Sequence, residues 1–152
     1  MATFPITFRS DSNRIHCDHR VLINELIELD GALDALGGDS GVLADRAPAA
    51  KVRRCSRHLA EALPDHFRHE EATVLDTVAR VSPELAEFAR QMRHEHDQLR
   101  RRLLEFCHAA QELEAGHDIA GSVEAVKESG KQLARDMTSH IALEEQQLDG
   151  FL

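Results

Sequence analysis

His66-Phe67-Arg68-His69-Glu70-Glu71 and His140-Ile141-Ala142-Leu143-Glu144-Glu145 are two copies of one pattern, H-x-x-x-E-E. A histidine and a glutamate four residues apart lie on one face of a helix, one turn from each other. An imidazole nitrogen and a carboxylate aimed the same way suit a borderline or hard divalent metal. Both pairs interrupt stripes of otherwise small or apolar residues. Reading these two stretches therefore decides the fold and the chemistry together.

The stripes extend well beyond the two copies. Ile15, His19, Leu22, Leu26, Leu29 and Leu33 recur at steps of four and three, which predicts a first amphipathic helix ended by Gly37-Gly38-Asp39-Ser40-Gly41. The second stripe is Val52, Cys55, Leu59, Ala62, His66, Glu70, Thr73 and Thr77. Pro48 suits its start, whereas Pro64 lies inside it and predicts a kink or a break. Ser82-Pro83-Glu84 reads as a helix start: a capping serine, a proline at the first helical position, then an acid against the dipole. The third stripe follows as Leu85, Phe88, Met92, His96, Leu99, Leu103, Phe106, Ala110 and Leu113, with His96 its only polar member. Gly116-His117-Asp118 closes that helix, and Asp118 is placed to cap the next. The fourth stripe is Val123, Val126, Gly130, Leu133, Met137, His140, Glu144 and Leu148.

Four amphipathic helices with short connections predict an all-α, up-down-up-down four-helix bundle. One domain is expected over residues 1–152. Residues 1–11 are expected to form a non-helical lead-in, with Phe4, Ile6 and Phe8 across the bundle end and Asp11 or Ser12 as first cap. The halves, about 12–80 and 83–152, repeat each other. Asp18-His19-Arg20-Val21-Leu22 matches Glu95-His96-Asp97-Gln98-Leu99, and Leu59 to Glu71 matches Leu133 to Glu145. Two helical hairpins related by a pseudo-two-fold axis would bring His19, His66, Glu70, His96, His140 and Glu144 to the bundle centre. Buried charges must be paired or bind metals. Two divalent cations, each taking two histidines and sharing both glutamates, would satisfy that set.

Composition narrows the function classes. The net charge of −9 argues against a general nucleic-acid binder. No apolar run is long enough to span a membrane. The first residues lack a basic region followed by an apolar run, so no export signal is expected and the setting is read as cytoplasmic. Cys17, Cys55 and Cys107 form no CxxC, so neither a thiolate metal site nor a disulfide framework is indicated.

The arrangement resembles the hemerythrin-like (HHE cation-binding) family. The resemblance rests on His19, on His66 with Glu70, on His96, and on His140 with Glu144, and it runs from about residue 12 to the end. It implies that these six residues hold two iron ions as an oxo- or hydroxo-bridged di-iron centre. Such a centre binds, senses or reacts with O2, NO or peroxide. Oxygen-carrying hemerythrins look like His-x-x-x-His in the third helix, where this chain has Met92 four before His96. In the fourth helix they resemble His-x-x-x-x-Asp, a spacing that Glu145 meets here. The doubled His-x-x-x-Glu is more similar to the repair-of-iron-centres proteins, which carry in addition a Cys pair that these residues do not contain. Iron donation or storage for cluster repair, and peroxide or NO consumption, are therefore the alternative functions. Zinc suits the same donors.

Other constellations weigh less. Glu105-Phe106-Cys107-His108 and Glu114-Ala115-Gly116-His117 match the Glu-x-x-His string of ferritin-like proteins, but Glu105 and His108 lie off the stripe. His16 sits at the stripe edge as a flanking polar residue, with metal contact left open, as it is for Glu145. His58, His69, His94, His108 and His117 point away from the inferred core, and Arg100-Arg101-Arg102 reads as a solvated face.

Overall fold

A computed structural model describes residues 6–37, 47–116 and 119–150. Every element among them is helical: α1 (Ile6–Asp34), α2 (Ala47–Ala72), the short α3 (Val74–Val78), α4 (Pro83–Ala115) and α5 (Ile119–Asp149). The four long helices form the bundle. Helix α1 packs against α2 and α5, and α4 packs against the same two. Cross-links show that neighbours run antiparallel. In its first half α1 meets the ends of α2 and α5, with Asp11 3.8 Å from His69 Nε2 and His16 Nε2 3.6 Å from Asp149. Near its end α1 meets α5 through Lys131, whose Nζ lies 2.7 Å from Asp30 and 2.6 Å from Asp34. Arg53 of α2 likewise donates to Glu114 near the end of α4.

The predicted stripes of α1, α4 and α5 are the buried faces, except that Val123 is half-buried. Helix α4 starts as its sequence demands: Ser82 Oγ accepts from the Leu85 N–H at 3.2 Å, with Pro83 in the first turn. It ends at Gly116, whose φ of 79° is the left-handed conformation that favours glycine. Ser82→Ala is expected to lower stability by about 1 kcal/mol in chemical denaturation. The proposed cap at Asp118 and the loop after Gly37 lie outside the described residues.

Three expectations are corrected. Residues 6–11 are not a lead-in but the first turns of α1. Phe8 is buried with Ile15, Val74, Val78 and Leu148, and this burial outweighs the weak helix propensity of the β-branched and polar residues around it. Neither Asp11 nor Ser12 caps the helix; both lie within it, and Ser12 is fully buried. The second correction concerns Pro64. Helix α2 continues past it without a break, and the carbonyl that it leaves free belongs to Ala60 on the exposed face, where water can satisfy it. The break falls instead at Thr73, whose φ of −117° and ψ of −84° leave the helical conformation, while its hydroxyl donates to the His69 carbonyl at 2.7 Å. The third concerns the second stripe itself. Ala62 is exposed and Thr73 and Thr77 are only half-buried, while Leu63, Phe67, Val74, Leu75 and Val78 fill the core.

The core divides into two apolar clusters with a polar layer between them. One turn to one side of the layer lie Leu22, Leu63, Leu99 and Met137, one from each long helix. One turn to the other side lie Ile15, Val74, Met92 and Leu148. The polar layer is thus closed along the bundle axis in both directions. Met92 belongs to the second apolar layer.

Candidate metal centre

The polar layer consists of His19, His66, Glu70, His96, His140 and Glu144, all buried to 3% exposure or less. All six sequence-derived site residues therefore meet in one place. They form two groups of four, His19-His66-Glu70-Glu144 and Glu70-His96-His140-Glu144, in which the potential ligand atoms lie within 4.8 Å of one another. Both glutamates belong to both groups.

The carboxylates are oriented across the two groups. Glu70 directs Oε1 to His19 Nε2 at 3.1 Å and to His66 Nε2, and Oε2 to His96 Nε2 at 3.1 Å. Glu144 directs Oε1 to His19 Nε2 at 3.2 Å, and Oε2 to His140 and His96 Nε2 at 3.4 and 3.9 Å. Each carboxylate thus turns one oxygen to each half. Glu145 stands outside: its Oε1 accepts from His19 Nδ1 at 3.1 Å and from His16 Nδ1 at 3.2 Å. The helical register thereby selects Glu144 over Glu145 for the inner layer.

An outer ring of acids faces the opposite ring nitrogens. His96 Nδ1 donates to Glu71 at 3.1 Å, and His66 Nδ1 to Asp18 at 3.3 Å. His140 Nδ1 lies 3.6 Å from Glu95 Oε2. The ring obeys the sequence repeat. His19 with Glu145 corresponds to His96 with Glu71, and His66 with Asp18 corresponds to His140 with Glu95. A hydrogen on Nδ1 held by an acid leaves the Nε2 lone pair turned inward. These acids had a signal in the sequence, since Asp18 and Glu95 precede the matched histidines and Glu71 and Glu145 end the matched stretches.

Arg100 is the residue that sequence reasoning misplaced. It is no solvated arginine: its two terminal nitrogens donate to Glu71 at 3.3 and 3.0 Å, and Glu71 in turn holds His96. Arg100 follows His96 by four, so its helical face was legible. That Glu71 would arrive there from α2 was not. Phe67 stacks on His96, with ring centroids 4.3 Å apart and planes 20° apart. Arg100 lies over the same Phe67 ring at 5.4 Å. Among the remaining histidines, His58, His94 and His108 are exposed as expected. His69 is half-buried with Nε2 3.8 Å from Asp11, and His117 lies outside the described residues.

Burial dominates the protonation of the layer. It lowers His66, and with the neighbouring His140 it takes His96 down to about 4. At His19 the same burial is outweighed by the Glu144 and Glu70 carboxylates close to its Nε2, which raise the pKa to about 9. Burial and the nearby Glu144 hold the Glu70 carboxyl well above the usual carboxylate range. Glu71 is lowered despite its burial, because Arg100 and His96 donate to it.

The donor set fits a cation. His66 Nε2, Glu70 Oε2 and both Glu144 oxygens are buried without a hydrogen-bond partner. His96 and His140 face each other Nε2 to Nε2 at 3.2 Å, an approach that needs a positive charge or a proton between the lone pairs. No described helix is long and apolar enough to cross a membrane. A family description, the hemerythrin HHE cation-binding domain, matches residues 11–151. No curated protein and no solved structure matches the chain significantly. With that match spanning nearly the whole chain, and with inward-facing histidines and glutamates in the bundle, the chain belongs to the hemerythrin HHE cation-binding family.

Proposed function

We propose that this chain is a non-haem di-iron protein that binds, senses or reacts with a small oxidant, O2, NO or peroxide. The observation that carries this reading is the sharing of both buried carboxylates between two histidine pairs. His19 and His66 would hold one ion and His96 and His140 the other, with Glu70 and Glu144 turning one oxygen to each. Two ions tied by common carboxylates favour a redox pair over independent structural ions. Bound iron supplies one-electron chemistry and coordination positions that the protein's donors leave free.

The protein's own residues supply the rest. Glu145, Glu71 and Asp18 fix the tautomer and aim of His19, His96 and His66. Phe67 and Arg100 hold His96 in place by stacking and through Glu71. The apolar layers on either side keep bulk water from the centre, which strengthens every charge interaction inside it. The free cysteines, Cys17, Cys55 and Cys107, suit a reducing cytoplasmic setting.

Metal analysis of protein from iron-fed cells tests the reading. The expected result is close to two irons per chain, with Mössbauer spectra of a coupled pair. Iron well below one per chain overturns it. Steady turnover of peroxide or NO would identify an enzyme, and stoichiometric binding without turnover a carrier or sensor. Glu71→Ala is expected to weaken metal binding about 10- to 100-fold, measured by competition with a chelator, because His96 loses the acid that orients it.

A further inference from the structure

The polar layer is closed along the bundle axis by apolar residues, so a hydrated ion can reach it only through a seam between helices. Three of the four seams are shut by hydrogen bonds on the outer face of a histidine. Asp18 with His66 closes the α1–α2 seam. Glu71 with His96 and Arg100 closes the α2–α4 seam. Glu145 with His19 and His16 closes the α1–α5 seam.

The α4–α5 seam differs. Here a cavity of about 190 Å³ is lined by Glu95, Gln98, Leu99, Asp136, Ser139 and His140. Gln98 and Ser139 are exposed, whereas His140 is 1% exposed, so the cavity runs from the surface to the back of an inner-layer histidine. Both polar atoms that meet at its floor, Glu95 Oε2 and His140 Nδ1, are buried without a hydrogen-bond partner. They stand 3.6 Å apart, too far for a direct hydrogen bond. By the repeat, this pair corresponds to Asp18 and His66, which do bond. The longer glutamate at position 95 thus stands where the gap opens.

The lining chemistry suits an ion rather than an apolar gas. Two carboxylates, an amide and a hydroxyl line the cavity beside a single leucine. Such hard oxygen groups can replace the water shell of a divalent cation in stages. Asp136 Oδ1 accepts from Gln132 at 2.8 Å, and its Oδ2 lies 3.5 Å from Arg102 Nε. Arg102 is itself half-exposed, so its charge is screened by solvent.

We propose that the α4–α5 cavity is the loading site through which a hydrated divalent cation is captured by Glu95 and Asp136 and passed beside His140 into the polar layer. The route rests on the metal reading of that layer. Acidic clefts raise local cation concentration and on-rates, whereas the final affinity belongs to the inner donors.

Anaerobic stopped-flow loading of the metal-free full chain with Co²⁺ alone, followed by its visible absorption, tests the proposal. Asp136→Asn and Ser139→Phe are expected to slow loading about tenfold at low salt with final stoichiometry unchanged. Asp65→Asn, an exposed acid on α2 beside Arg14, is expected to stay within about twofold of the parent chain. The parent rate should also fall more steeply with salt than that of Asp136→Asn. Loading of both cavity variants at the parent rate overturns the route, and so does equal slowing by Asp65→Asn, which would mark a general charge effect. If the parent chain takes up no Co²⁺ under any condition, the metal centre itself is overturned.

Discussion

Replacing Glu70 with alanine is expected to weaken metal binding in both halves of the centre, whereas replacing His66 weakens one. Glu70 turns Oε1 to His19 and His66 and Oε2 to His96, so its loss takes a donor from each group of four. His66 Nε2 belongs to one group only. The expected loss for Glu70→Ala exceeds about 100-fold in affinity for each ion, beyond the 10- to 100-fold typical of residues that only orient ligands. Iron analysis after dialysis should find Glu70→Ala nearly empty and His66→Ala with about half the parent content. Circular dichroism would confirm that each variant keeps its helices. A Glu70→Ala chain that retains one tightly held iron would contradict the shared-carboxylate arrangement.

Removing the metal is expected to cost the bundle much of its stability. The inner layer then keeps two carboxyls in contact with one another and with four imidazoles, between two apolar layers that exclude water. An ion that binds only the folded chain stabilises it by about 4 kcal/mol when free metal stands at a thousand times Kd. Urea unfolding with and without a chelator should therefore show a large fall in midpoint with little change in slope. The metal-free double variant Glu70→Leu/Glu144→Leu should be more stable than the metal-free parent by about 1–4 kcal/mol, because apolar side chains replace a buried polar cluster. The same variant should gain nothing from added iron. An unchanged midpoint on chelation, or a destabilised leucine variant, would show that the polar layer is satisfied without a cation.

These outcomes depend on features that differ in how visible they are from residues alone. The six inner donors were legible because each interrupts an apolar stripe at helical spacing, and because the two halves repeat. Their outer partners were only half legible. Asp18 and Glu95 sit next to the matched histidines, but sequence does not say that each reaches a histidine on a neighbouring helix. Arg100 was misread because a charged run beside acids is usually solvated, and its anchor Glu71 lies on a different helix. The start of α1 was misread for a similar reason. Local propensity around Phe8 is weak, and the apolar cluster that buries it draws on α3, α4 and Leu148, far away in the chain. Thr73 rather than Pro64 ends α2, because a lost backbone bond matters less where water can replace it.

Residue spacing alone carries the bundle, the repeat, and which histidines and glutamates face inward. Those are one-dimensional properties: a stripe every three or four residues dictates a buried face, and a polar residue on that face must find a partner. What packing adds is that each carboxylate turns one oxygen to each half, that Met92 serves an apolar layer, and that a cavity opens between α4 and α5 beside His140. Those depend on which side chains arrive from neighbouring helices and at what distance. A difference as small as the Glu95 Oε2 to His140 Nδ1 separation of 3.6 Å is set by packing and leaves no trace in residue spacing.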